Sequence, residues 1–215
     1  MNWKNQHLKN SRLYLILDKD VCGPKKLSCI MSAALAGGVD IVQLRDKTST
    51  TKEMIALARP LAAMARAAKR LLIINDRIDV AMAVEADGVH LGQDDAPAAV
   101  ARKLLGKDML IGISCHTAKD VRESLAMPVD YLGFGPIFAT LTKPGMRPRG
   151  LQLLRQILPL TPRPVFAIGG INLDRLQDIL TTGLNRAAVC REICLAKDIS
   201  GTTRLFKSAL GKNHV

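Results

Sequence analysis

Aromatic residues make up only 3% of this 215-residue chain. So few rings argue against the stacked platforms on which single-stranded nucleic-acid binders lay their bases. With hydrophobic residues at 48%, they predict a core built from Leu, Ile, Val, Ala and Met. There are five cysteines, Cys22, Cys29, Cys115, Cys190 and Cys194, and none stands in a CxxC pair. An odd count without that spacing argues against a disulfide frame or a zinc site and suits free thiols in a reducing compartment. Cys190 and Cys194 are spaced i,i+4, as on one helix face, with no histidine near them. No apolar run approaches the roughly 20 residues that a membrane span needs, and "MNWKNQHLKNSR" lacks the apolar stretch of a secretory signal. The expectation is a cytoplasmic protein with no membrane partner. The formal net charge is +12, yet the basic residues are scattered and never run to five, so a basic tail is missing. Such a balance suits phosphorylated small molecules as well as nucleic acid. Small-molecule substrates are expected here, and no nucleic acid; a DNA-binding barrel would show steeply salt-dependent binding.

What is present is a repeat of short apolar runs, each followed by an amphipathic segment. The runs are 13–17, 40–44, 71–75, 88–91, 110–114, 131–135, 164–169 and 186–190. Strands alternating with helical segments predict a parallel sheet, and consecutive apolar positions predict strands buried on both faces. Eight such units in 215 residues predict a single-domain α/β fold, a (β/α)8 TIM barrel over 13–211, with 1–12 as an N-terminal extension. An open doubly wound sheet fits less well, because "DKDVCGPK" after the first run lacks the Gly-rich opening of a dinucleotide site. Pro60, inside the second helical pattern, predicts a kink or a split. His7 and His214 fall in termini expected to be disordered.

In such a barrel the chemistry gathers at the C-terminal strand ends. The second strand ends in Gln43, Arg45 and Lys47, which alternate and so point to one side. Arg grips phosphate oxygens in a fork and Lys acts as a point charge. An ion pair to Asp46 or Asp76 would also account for Arg45, but two cations at one rim favour a polyanionic ligand. Asn75 and Asp76 end the third strand. His90, followed by Gly92 and "QDD", ends the fourth. Asp76 and Asp95 at neighbouring strand ends suit Mg2+, which takes one or two carboxylates plus substrate phosphate oxygens. Asp94 competes with Asp95, and each carboxylate could instead cap a helix. Ser114, Cys115 and His116 end the fifth strand, the sixth opens a loop with Thr140, Thr142 and Lys143, and the eighth ends in Cys190 and Arg191. Gly169 and Gly170 before a helix form a backbone phosphate cradle. Two anions are therefore expected, one multiply charged and metal-bound, the other a monophosphate.

The motifs "VQLRDK", "INDRIDVAMAVEADGVHLGQDD", "GISCHT", "YLGFGPIFATLTKPG" and "FAIGGI", in order from about Leu13 to Ile193, resemble the thiamine phosphate synthase family. The resemblance implies a transferase that joins 4-amino-5-hydroxymethyl-2-methylpyrimidine diphosphate to a thiazole phosphate, with Mg2+ and release of pyrophosphate. It implies a dissociative substitution in which a pyrimidine-methyl cation forms before the thiazole nitrogen attacks. By motif, Gln43, Arg45, Lys47, Asn75 and Lys143 would bind the pyrimidine diphosphate, with His90 and Gly92 lining the pyrimidine pocket. Ser114 would assist the diphosphate, and Asp76 and Asp95 would hold Mg2+. Thr140, Thr142 and Gly170, with Cys190 and Arg191 of the eighth strand end, would meet the thiazole phosphate. The family's eighth strand typically ends in a Val-Ser step; here "AVCREIC" exchanges that hydroxyl for a thiol and a guanidinium. The alternative is a thiazole tautomerase of the same fold, with His116 as acid and base.

Overall fold

The computed structural model describes residues 3–23, 26–141 and 145–211. Thr142 and Lys143 therefore lie outside the described residues, as does His214. In chain order the elements are α1 (Trp3–Asn10), β1 (Leu13–Asp18), α2 (Lys19–Cys22), α3 (Leu27–Ala36), β2 (Ile41–Arg45), α4 (Thr51–Ala67), β3 (Leu71–Asn75), α5 (Ile78–Ala83), β4 (Gly88–Leu91) and α6 (Ala98–Leu105). They continue with β5 (Leu110–Cys115), α7 (Ala118–Ser124), β6 (Tyr131–Phe134), α8 (Gly150–Ile157), β7 (Val165–Ile168), α9 (Leu173–Leu180), β8 (Ala187–Val189), α10 (Arg191–Cys194) and α11 (Ile199–Gly211).

The eight strands pair in sequence order, all parallel, and β8 returns to β1 through Leu13–Ala187 to close the barrel. Alternation along each strand sorts its residues into two cores. Leu13, Leu15, Leu17, Val42, Leu44, Leu72, Ile74, Val89 and Leu91 join the larger core between sheet and helices. Tyr14, Ile16, Ile41, Leu71, Ile73, Leu110, Tyr131 and Phe166 form a second cluster inside the barrel.

That inner cluster corrects the expectation of an aliphatic core. Both tyrosines of the chain and one of its four phenylalanines are in it, and their rings meet with centroids 5.4–6.0 Å apart. The rings fit because neighbouring strands carry glycine, Gly112 of β5 pairing with Tyr131 of β6. A Cβ on Gly112 would stand 2.2 Å from the Tyr131 ring and 2.6 Å from His90 Nδ1.

From Trp3 onwards the N-terminal segment is helical. Helix α1 seats Leu8 in the inner cluster at 2% exposure, and His7 lies in this helix rather than in a disordered terminus. Pro60 does not split its helix, since α4 runs unbroken for 17 residues. The carbonyl that loses its partner there belongs to Ala56, and both Ala56 and Pro60 are exposed, so water can take the missing bond. A capping box between Thr50 and Glu53 starts the helix, and Met54, Ala58, Leu61 and Ala65 hold its inner face on the core.

Candidate active site

The C-terminal mouth of the barrel opens into a cavity of ≈270 Å³. Of the residues singled out from sequence, Gln43, Arg45, Asn75, His90, Ser114, Thr140, Gly170, Cys190 and Arg191 line it together. His116 lines it too. Lys47, Asp76, Gly92 and Asp95 are not part of that lining and lie beside it on the loops after β2, β3 and β4.

The floor is a buried polar chain. Gln43 Nε2 donates to Tyr14 Oη at 2.8 Å, Tyr14 and Tyr131 share a bond of 3.0 Å, Tyr131 Oη meets His90 Nδ1 at 3.2 Å, and His90 Nε2 meets Ser114 Oγ at 3.0 Å. Burial pushes both phenols well above their usual range, so both keep their protons. One run of donors then satisfies every link, from the Gln43 amide through Tyr14 and Tyr131 to His90 Nδ1, and from His90 Nε2–H to Ser114 Oγ. The Gln43 carbonyl oxygen and the Ser114 hydroxyl proton are left for a ligand.

At the rim, two expectations change. Strand β2 ends at Arg45, so Gln43 and Arg45 share the inner face while Lys47 stands beyond the strand. Neither cation is without a carboxylate. Arg45 Nη1 pairs with Asp18 at the end of β1, in place of Asp46 or Asp76, and Lys47 pairs with Asp76. The Lys47 side chain is 47% exposed, and such a half-solvated pair is worth only about 0–1 kcal/mol, which leaves Lys47 easy to redirect. Arg45 Nε is buried without a partner, a donor that a ligand oxygen would satisfy.

Asp46 supports this loop. Its Oδ1 accepts from the backbone N–H groups of Thr48 and Ser49, each at 3.0 Å, and lies 3.1 Å from Lys19 Nζ. Burial alone would raise its carboxyl, but the bonds from Ser49, Thr48 and Lys19 outweigh it and hold the group at about 2.

Neither Asp76 nor Asp95 caps a helix. The residues that precede α5 and α6 are Arg77 and Pro97, with no side-chain cap. Asp95 Oδ2 instead accepts from the Gly92 N–H at 2.6 Å. Asp76 sits at a positive φ of 62°, a conformation that Asp tolerates better than most residues. Burial first, and then a hydrogen bond and charge repulsion from Asp95, push the Asp76 carboxyl upward, against the pull of Lys47. Two carboxylates close enough to disfavour each other's charge gain from a cation between them. Asp95, not the exposed Asp94, is the partner. Among the described residues no group of three or more His, Cys, Asp or Glu side chains is arranged to hold a metal. A divalent ion here would draw further ligands from substrate and water.

At the opposite end of the cavity, Gly169 and Gly170 follow β7 with φ of 101° and 63°. A Cβ on Gly170 would stand 2.2 Å from the Ala139 carbonyl oxygen, so this loop admits no side chain. Arg175, stacked 5.3 Å over Phe138, donates to the Gly170 carbonyl at 2.7 Å and fixes the turn. Cys190 and Arg191 follow β8. His116 Nδ1 lies 2.5 Å from the Gly135 carbonyl, which ties that ring to the β6 loop.

Sequence reasoning missed Tyr14, Asp18, Tyr131 and Arg175. Asp18 was legible by the strand-end criterion, but the first strand was ended at Leu17, one residue short. The two tyrosines had a signal in the glycines of "IGIS" and "YLGFG", which make room for rings on the inner face.

Polar and charged side chains from most of the strand ends, with a glycine turn after β7, define a (β/α)8 enzyme whose site lies at the C-terminal mouth of the barrel. Residues 13–193 match the family model described as thiamine monophosphate synthase, and the chain belongs to that family. A thiamine-phosphate synthase of Halalkalibacterium halodurans is 42% identical over 204 residues, which cover 94% of this chain and 97% of that one. One from Chloroflexus aurantiacus is 40% identical over 203 residues, covering 94% of each chain. Among solved structures, a thiamine phosphate pyrophosphorylase from Pyrococcus furiosus superposes with a TM-score of 0.86 at 34% identity, covering 97% of this chain and 98% of that one. The activity is that of the family, a transferase. No helix among the described residues is long and apolar enough to cross a membrane.

Proposed function

We propose that this cytoplasmic enzyme joins 4-amino-5-hydroxymethyl-2-methylpyrimidine diphosphate to thiazole phosphate, forming thiamine phosphate and pyrophosphate with the help of Mg2+. The observation that carries the two-ended reading is the cavity itself, with Arg45 and Ser114 at one end and the Gly169–Gly170 turn with Arg191 at the other. The pyrimidine would lie on the Gln43–Tyr14–Tyr131–His90 floor, where the Gln43 carbonyl accepts from its amino group. Asn75 and Gly92 would border that ring. The diphosphate would reach Arg45, Lys47, Ser114 and Lys143, the last outside the described residues.

Asp76 and Asp95 would hold Mg2+, and their mutual disfavour fits that ion. Bound there with the diphosphate, Mg2+ would neutralise charge on the leaving pyrophosphate. The chain's own share is electrostatic. Arg45 and Lys47 stabilise the charge that grows as the carbon–oxygen bond breaks, and Ser114 donates to a departing oxygen. The thiazole nitrogen has a lone pair free to attack, so bond formation needs no general base. The acceptor phosphate would sit on the Gly170 turn with Thr140, Cys190 and Arg191, and with Thr142, which is outside the described residues.

Purified protein given both substrates is expected to release pyrophosphate and form thiamine phosphate only when Mg2+ is present. Formation of no thiamine phosphate, or an equal rate in chelator, refutes the assignment.

A further inference from the structure

The polar chain under the cavity crosses the barrel, from Gln43 on β2 through Tyr14 on β1, Tyr131 on β6 and His90 on β4 to Ser114 on β5. Tyr14 and Tyr131 are buried at 2% and 0% exposure, so solvent does not compete for their hydroxyls. Each phenol has one proton to give, and so has an imidazole that accepts at one nitrogen. A proton given to one neighbour is not available to the other. The links therefore cannot reverse singly, and the whole run points one way or the other. With Gln43 Nε2 donating to Tyr14, His90 carries its proton on Nε2 and Ser114 presents its own to the cavity. In the opposite sense Tyr14 donates to the Gln43 carbonyl oxygen and the Gln43 N–H groups face the cavity. The His90 proton then lies on Nδ1, and Ser114 gives its proton to His90 Nε2. The two senses hold the same protons. They differ only in hydroxyl rotation, the turn of one amide and the tautomer of one ring.

We propose that Tyr14, Tyr131 and His90 are positioning residues that couple recognition of the pyrimidine at Gln43 to proton donation at Ser114. The consequence for substrate choice rests on the function proposed above; the coupling within the run does not. A ring that offers an amino proton beside Gln43 keeps the carbonyl outward and keeps Ser114 a donor to the departing diphosphate oxygen. A ring with an oxo group in that place needs the amide N–H outward. That reverses the run and turns the Ser114 proton away from the leaving group. The wrong ring is thus rejected in the chemical step as well as in binding.

The packing holds the run together. His90 stands between two glycines: a Cβ on Gly112 would come within 2.6 Å of its Nδ1, and one on Gly133 within 3.0 Å of its Cε1. The His90 and Tyr131 ring centroids are 5.5 Å apart, and Tyr131 in turn packs 5.8 Å from Phe166. Rings confined in this way do not swing out to new partners, so a change of donor at one end is passed on to the other. Buried hydrogen bonds in series also polarise one another.

The tautomer of His90 reports the direction of the run. In protein with nitrogen-15-labelled histidine, the His90 ring signals, assigned by their absence in His90→Gln, should show the proton on Nε2 in ligand-free wild type. Gln43→Glu puts an acceptor beside Tyr14 and should move that proton to Nδ1. Adding Tyr131→Phe cuts the run, and the tautomer should then be the same whether or not Gln43→Glu is present. One tautomer in both wild type and Gln43→Glu overturns the coupling, and so does a response to Gln43→Glu that survives Tyr131→Phe. If Gln43→Glu does not fold, turnover decides. The ratio of kcat for the amino pyrimidine diphosphate to kcat for its 4-oxo counterpart should be about tenfold larger in wild type than in Tyr131→Phe, the scale of one hydrogen bond to a charged group. The comparison of ratios cancels the electronic effect of the ring itself, and equal ratios overturn control of the chemical step. Wild type that forms no thiamine phosphate would instead refute the proposed function, and the tautomers would still decide whether the run is coupled.

Discussion

Replacing Asp46 with Asn should destabilise the enzyme in a way that depends on pH. The carboxyl lies at about 2 in the folded protein against an ordinary value of 3.8. A depressed carboxyl contributes stability that is fully present above its unfolded value and is lost as pH falls through its folded value. The difference of 3.8 − 2 corresponds to about 2 kcal/mol at neutral pH, at ~1.36 kcal/mol per unit. The carboxylate is buried, but Lys19 opposite it keeps some contact with solvent, so screening makes this figure an upper bound. The isosteric amide keeps an acceptor for the Thr48 and Ser49 N–H groups but loses the charge that Lys19 faces. Urea denaturation at pH 7 should therefore show Asp46→Asn less stable by up to about 2 kcal/mol, which is roughly 4–8 °C in melting temperature for a chain of this size. At pH 3 about half of that difference should be gone. Equal stability at pH 7, or a loss of the same size at both pH values, would refute the argument. Because Arg45 and Lys47 flank Asp46, turnover should fall along with stability, read as a lower kcat at saturating substrate.

Other expectations follow from the site. Gly170→Ala places a methyl 2.2 Å from the Ala139 oxygen at a φ of 63°. It should raise the KM for thiazole phosphate more than tenfold, at about 1–2 kcal/mol of backbone cost; a KM within twofold of wild type contradicts the cradle. Asp76→Asn and Asp95→Asn should each abolish the Mg2+-induced rise in melting temperature measured with pyrophosphate present, and a preserved rise in both would remove the metal from this pair. Asp76→Asn should also be more stable than wild type at pH 7, since a carboxyl raised by folding is destabilising when ionised. Tyr131→Phe should lower kcat/KM for the pyrimidine diphosphate while sparing the KM of the thiazole, because it breaks the chain between Gln43 and Ser114; equal effects on both substrates would show a merely structural role.

The barrel was legible because each strand is a short apolar run buried on both faces, and the pattern survives without any knowledge of packing. The runs 71–75 and 88–91 coincide with β3 and β4; elsewhere the ends shift by one residue. Those shifts matter for function. One residue at the end of β1 hid Asp18, and with it the partner of Arg45. Ion pairing was the least legible feature, because a partner's identity depends on which strand ends are neighbours in space. Asp18 and Arg45 are 27 residues apart and become adjacent only through the β1–β2 register.

The same reasoning bears on the departure at the end of β8. A guanidinium at Arg191, exposed and lining the cavity, adds a cation to the acceptor end, whereas Cys190 removes the hydroxyl that the family's Val-Ser step would supply. If Arg191 takes over the lost hydroxyl's role, Arg191→Ser should raise the KM for thiazole phosphate about tenfold with kcat nearly unchanged, as expected for uniform binding energy removed from ground and transition states alike. The effect should also shrink as ionic strength rises, because the contact is with an exposed charge. A hydroxyl restored at Cys190, by Cys190→Ser in the Arg191→Ser background, should then recover part of the loss. Failure of that double variant to bind better than Arg191→Ser alone would show that the thiol and the guanidinium do not replace the hydroxyl, and that the acceptor phosphate is held by the Gly170 turn without help from β8.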